Sequence, residues 1–273
     1  MSAPCRRLGL RPADGVVDGG DEKFRLRQHS MATLAQPIPE SVFDDIAAFS
    51  GLDSSDAVLE IGCGTGQATQ GFARRGVFIL ALDPGAELIG IARKNLAEFP
   101  NVRFAQTTLE AWPGEATAFK LVMAAQSLHW VASEVRLAKS AEQLAPGGTL
   151  AVLGSVPMPL APPLAAEFAR LYSLYAPSLS DPPAEAWYLP DGPFAKLLGE
   201  SEYFEPTTHR CYPWSRMQSA ASYSDLLRTL SSYPLLAADQ REALLAALGE
   251  TIATHGGKFE LRYETHLYLA KRR

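Results

Sequence analysis

An α/β architecture with a mostly parallel sheet and helices on both faces is predicted by three features of the sequence. Short apolar runs alternate with helical segments, a glycine-rich turn directly follows the first run, and the composition is that of a packed domain. Parallel strands need a crossover between them, usually a helix, so the alternation itself calls for a doubly wound sheet. The 273 residues suffice for one large domain with an elaboration, or for two modest domains. Hydrophobic residues make up 47% of the chain and charged ones 20%, far from the mixture that stays disordered.

Residues 1–30 mix Gly, Asp, Arg and Pro without periodicity, so a loose arm is expected before the folded domain. From residue 40, Val42, Phe43, Ile46, Ala47 and Phe49 share a helical face, and Gly51 ends the helix. Strands are expected at 57–61, 77–82, 102–106, 119–125 and 149–154, with helices at 67–75, 86–99 and 133–145 between them. Ten of the twenty prolines then fall between Pro157 and Pro206. That density breaks the strand and helix rhythm, so 155–206 is expected to be a Pro-rich insertion or lid. Within it, Phe168, Tyr172 and Tyr175 lie at helical intervals over 164–175, a spacing that suits a buried face or the roof of a pocket. The remainder, 207–273, is expected to complete the same domain that begins at 31–154. It reads as a strand at 207–212, helices at 220–230 and 238–254, and a Gly256-Gly257 turn into a strand at 259–270, seven strands in all.

The formal net charge is −5, which gives no overall positive field to gather nucleic acid or an anionic membrane. Arg6, Arg7, Arg11, Lys23, Arg25 and Arg27 cluster near the start, but such an arm is usually solvated. Cys5, Cys63 and Cys211 are odd in number, far apart and without a C-x-x-C pair, so neither disulfides nor a structural zinc site is suggested. His209 and His255 have no ligand spacing with each other or with a cysteine, so no metal is expected. No segment approaches the roughly 18 apolar residues of a membrane span, so the expected setting is the reducing cytoplasm.

Chemistry concentrates in Val58-Leu59-Glu60-Ile61-Gly62-Cys63-Gly64-Thr65-Gly66, a strand running into a glycine turn and then a helix. Glycines at alternate positions let a ligand lie directly on the main chain. The spacing is G-x-G-x-G, with Gln67 where the dinucleotide fingerprint G-x-G-x-x-G places its third glycine. That departure argues against a nicotinamide-dependent oxidoreductase. An acid such as Glu60 just before the turn suits a cationic cofactor, and Asp83, about twenty residues beyond the first glycine, stands where a carboxylate binds ribose hydroxyls.

Glu60-x-Gly62-x-Gly64-x-Gly66 resembles the first motif of the class I S-adenosylmethionine-dependent methyltransferases. Asp83, the 104–110 stretch, 119–130 and Leu144-Ala145-Pro146-Gly147-Gly148 extend the resemblance. Gln126-Ser127-Leu128-His129-Trp130 and the C-terminal segment are most similar to the small-molecule group related to trans-aconitate methyltransferases. The R-P-x-Y-P element usual in that group reads Ala35-Gln36-Pro37-Ile38-Pro39 here, without the arginine and tyrosine. The resemblance implies a Rossmann-like, seven-stranded sheet with an insertion after the fifth strand. It also implies S-adenosyl-L-methionine as cofactor, bound by Glu60, Gly62, Gly64, Gly66, Asp83 and Gln126, with Leu109 over the adenine and Glu110 as its polar neighbour. A small-molecule acceptor would meet His129, a candidate base, and Trp130, a pocket wall. A binding protein that has lost turnover is the remaining alternative. Asp181-Pro182-Pro183-Ala184 superficially resembles a nucleic-acid methyltransferase motif but lies in the insertion and ends in alanine, so it is read as a decoy.

Overall fold

The computed structural model describes residues 37–114, 118–179, 184–230, 233 and 236–273. The arm expected at 1–30 and residues 181–183 of the Asp-Pro-Pro stretch lie outside them. Seven strands form one sheet in the order β3-β2-β1-β4-β5-β7-β6. These are β1 (Ala57–Ile61), β2 (Phe78–Asp83), β3 (Val102–Gln106), β4 (Phe119–Ala125), β5 (Leu144–Pro157), β6 (Thr208–Ser219) and β7 (Lys258–Lys271). The first five pair in parallel, and β7 runs antiparallel between β5 and β6. Strand order reverses between β1 and β4, the place where an open α/β sheet leaves a crevice at its carboxyl edge.

Helix α1 (Glu40–Ser50) precedes the sheet; α2 (Gln67–Ala73), α3 (Ala86–Asn95) and α4 (Arg136–Gln143) are the crossovers. After β5 come α5 (Leu164–Tyr175) and α6 (Pro193–Gly199), and between β6 and β7 lie α7 (Ala220–Thr229) and α8 (Ala238–Thr254). The alternation along each strand sorts its side chains onto two cores. Leu59, Leu82, Val122, Val152 and Tyr268 face one way, while Val58, Ala81, Met123, Leu153 and Leu267 face the other with Val42, Phe43 and Ile46 of α1. A third cluster joins α5, α7 and α8 through Leu164, Phe168, Tyr223, Leu244 and Leu248. Phe168 is therefore core rather than roof, and the Tyr172 hydroxyl bonds that of Tyr233 within the same cluster.

Two strands are longer than the sequence pattern suggests. β6 continues past 212 to Ser219, pairing with β7 through Trp214 and Met217. Pro213 hides this extension from a sequence reading, yet β6 is the sheet edge, where a missing N–H breaks no ladder. β5 begins at Leu144 rather than 149 because the Ala-Pro-Gly-Gly stretch already joins the sheet, with a register shift against β4 that absorbs the turn. The helix expected over 133–145 shortens to α4 accordingly. The helix expected at 86–99 stops at Asn95, and that at 67–75 at Ala73. Among the described residues no helix is long and apolar enough to cross a membrane.

Candidate functional site

The carboxyl ends of β1, β2 and β4 bring the sequence-predicted residues together. Gly62, Gly64 and Gly66 all have left-handed backbone, with φ of 69°, 55° and 89°. The turn is tied from three sides: Cys63 N–H donates to Leu82 O (2.9 Å), Asn95 Nδ2 on α3 to Thr65 O (3.0 Å), and the Ser127 hydroxyl to Ile61 O. A main-chain cradle with no side chain on alternate residues is thus held rigid before any ligand arrives, the condition for binding without an ordering penalty.

Asp83 ends β2 with 6% of its surface exposed, and its carboxylate joins two loops. Oδ2 accepts from Gly64 N–H (2.9 Å) and Oδ1 from Gly85 N–H (2.7 Å). Burial raises its pKa against the pull of these two amides. Each oxygen keeps further acceptor capacity, so ribose hydroxyls could add to the bonds already made.

Glu60 is deeper. It is 1% exposed, and its Oε2 accepts from the Thr69 hydroxyl of α2 at 2.6 Å. Burial pushes its carboxyl up to about 7; the Thr69 bond opposes this and the charge of Asp83 adds to it. Because the folded pKa lies above the unfolded value of 4.5, this group's stabilising contribution is complete below pH 4.5 and is lost as pH climbs toward 7. Glu60→Gln removes that titration. Its stability in denaturant should fall less than wild type's between pH 5 and 8, by about 1–2 kcal/mol, and parallel losses in the two proteins would refute the assignment.

Gln126 follows β4 with φ 52°, the sole non-glycine residue of positive φ among those described. Its N–H donates to Leu153 O (2.8 Å), so the strained backbone is locked by β5. Strain of this kind, about 1–2 kcal/mol, persists only where the surroundings impose it, and it marks the crevice edge here. Ser127 and Leu128 are buried, His129 is half-buried and Trp130 is 50% exposed. His129 Nδ1 lies 3.0 Å from the Tyr188 hydroxyl, and its ring sits against Trp130 at 4.6 Å between centroids.

Leu109 and Glu110 stand differently from the rest. Leu109 is 1% exposed in the cluster that includes Leu82 and Trp112. Glu110 accepts from Ala132 N–H at 2.8 Å while its own carbonyl takes the Lys139 ammonium at 2.6 Å. Burial acts to raise the Glu110 pKa, but the Ala132 amide and nearby donors prevail and lower it. These contacts fasten the loop after β3 to the loop after β4 and to α4.

Three residues of this wall are not apparent in the sequence. Tyr188, in a 3₁₀ turn of the insertion, is fully buried over Gly154, where an added Cβ would come within 2.5 Å of its ring. Tyr268 on β7 clamps the turn by donating to Tyr188 O (3.0 Å) and Leu189 O (2.8 Å). Arg136, in the first turn of α4, is 5% exposed; its Nε and Nη2 donate to Val131 O and its guanidinium lies 5.2 Å from the Trp187 ring. No carboxylate among the described residues lies within ion-pair distance of it. A cation at a helix N-terminus opposes the helix dipole, a sequence signal that could have singled it out.

Residues 58–148 match the methyltransferase domain family. Trans-aconitate 2-methyltransferase of Deinococcus radiodurans is 36% identical over 98 residues, which cover 35% of this chain and 36% of that protein. The protein of the same name from Azoarcus is 31% identical over 111 residues, 40% of this chain and 42% of that one. The chain therefore spans well under half the length of these curated relatives. In three dimensions 88% of the chain superposes on 98% of a candidate type II methyltransferase from Anaeromyxobacter dehalogenans, with a TM-score of 0.64 and 20% identity. The two share a fold.

Proposed function

With residues 58–148 a methyltransferase domain on a Rossmann-like methyltransferase sheet, we propose that the chain methylates a carboxylate oxygen of a small-molecule acceptor, using S-adenosyl-L-methionine. The observation that carries this reading is the convergence of the left-handed glycine turn, Asp83 and Gln126 at the crevice between β1 and β4. The residues present suit the cofactor. Gly62, Gly64 and Gly66 would admit its amino-acid end to the main chain, and Asp83 would accept from its ribose. Glu60 lies behind the turn, where the cofactor's cationic groups would favour its ionised form. When bound, the cofactor supplies a methyl group on a positively charged sulfur, a leaving group that needs no activation.

The chain's own contribution is then position and exclusion of water. A carboxylate acceptor is already ionised and needs no base. If the Tyr188 hydroxyl donates to Nδ1 of His129, Nε2 carries the proton and can hydrogen-bond an acceptor oxygen. The burial that lifts the Tyr188 pKa well above its ordinary value keeps that hydroxyl a neutral donor. The buried charge of Arg136, behind Trp187, adds a positive potential to this wall. Both features favour an anionic acceptor, in keeping with the name of the relatives above.

Incubating the protein with S-adenosylmethionine and a panel of unsaturated di- and tricarboxylic acids tests this. One acid should gain 14 mass units as a base-labile ester, and His129→Asn should slow that reaction less than about tenfold, since no deprotonation is needed. A loss of about 10² to 10⁴, or a base-stable product, would replace the carboxylate with a hydroxyl acceptor and make His129 its base.

A further inference from the structure

We propose that Cys211, Glu264 and His266 form a zinc site on the β6–β7 pair, with His209 orienting His266. Cys211 and His266 are directly opposed in the antiparallel register, and Glu264 lies two residues along β7, so all three point to the same face. One ligand atom from each lies within 4.8 Å of the other two. Tetrahedral zinc holds sulfur at about 2.3 Å and nitrogen or oxygen at about 2.0–2.2 Å. Side-chain rotations of about an ångström would therefore close the set. A thiolate, an imidazole and a carboxylate make a borderline-soft donor set that suits zinc better than magnesium or calcium.

His266 supplies an independent indication. It is 1% exposed, and its buried Nε2 has no hydrogen-bond partner although Glu264 Oε2 lies 3.4 Å away. Its other nitrogen, Nδ1, is 3.0 Å from Nε2 of His209. If His266 donates through Nδ1, its Nε2 presents a lone pair toward a carboxylate, an arrangement that a cation between them would relieve. A second group that fixes the tautomer of a ligating histidine is the usual companion of such sites. Because zinc binds the thiolate, its entry would release the Cys211 proton to solvent. Cys211 is exposed, which gives the ion a route in and leaves water as the fourth ligand.

The full-length protein, stripped with chelator, is titrated with zinc and separately with cobalt as a spectroscopic probe. One zinc per chain should bind with micromolar or tighter affinity, and the cobalt form should show a thiolate charge-transfer band. Cys211→Ser, at an exposed position, should keep the metal-free thermal midpoint, abolish the band and weaken zinc binding at least a hundredfold. His209→Phe should weaken it about ten- to a hundredfold while keeping the band. No saturable binding by wild type, or binding unchanged in Cys211→Ser, would overturn the proposal. Its outcome is independent of the methyl-transfer assay.

Discussion

Gly62→Ala should destabilise the chain by between about 2 and 5 kcal/mol and cost it most of its cofactor affinity. Two effects add at this position. Its φ of 69° is left-handed, which an alanine adopts at about 1–2 kcal/mol. A Cβ there would also lie 2.5 Å from the Cβ of Ser127, whose hydroxyl is fastened to Ile61 O, so the loop after β4 must give way. Forced displacements of this kind cost about 1–3 kcal/mol. Gly76→Ala is the control, because Gly76 has φ 75° and nothing within 4 Å of an added Cβ. It should show the backbone cost alone, with affinity for S-adenosylhomocysteine unchanged. Equal losses of stability in the two variants would mean that contact between the β1 and β4 loops contributes nothing.

Asp83→Ala should lower stability by about 2–4 kcal/mol and weaken S-adenosylhomocysteine binding by about 1.5–3 kcal/mol. The stability cost arises because the Gly64 and Gly85 amides both lose their acceptor in a site that is 6% exposed. The sequence marks Asp83 as a ribose ligand only; the structure gives the same carboxylate a second task, holding the glycine turn to the end of β2. Denaturant unfolding reads the first effect, and calorimetry well below the unfolding transition reads the second. A folded variant of unchanged affinity would remove Asp83 from the cofactor site, leaving its role in the loops intact.

What the sequence discloses follows from the range of the interactions. The glycine turn and Asp83 are legible because strand, turn and helix are contiguous, and 19 residues separate Gly64 from Asp83 across one crossover. The seven strands are legible from alternation, except where Pro213 and the Ala-Pro-Gly-Gly stretch conceal edge and bulged segments. The bond from Ala132 N–H to Glu110 is invisible because spacing cannot show which backbone amide a loop carboxylate meets. The Tyr188 to His129 contact joins residues 59 apart through an insertion whose path no local pattern specifies. Cys211 and His266 become neighbours through strand register alone, which is why spacing along the chain gave no reason to expect a metal there.

Calorimetric titration of the wild-type chain with S-adenosylhomocysteine tests most directly whether the crevice between β1 and β4 is an S-adenosylmethionine site. It should show one saturable site per chain, with Kd in the micromolar range or below, and no comparable heat from NADH. Saturable NADH binding with none of S-adenosylhomocysteine would contradict the account and return the glycine turn to a dinucleotide.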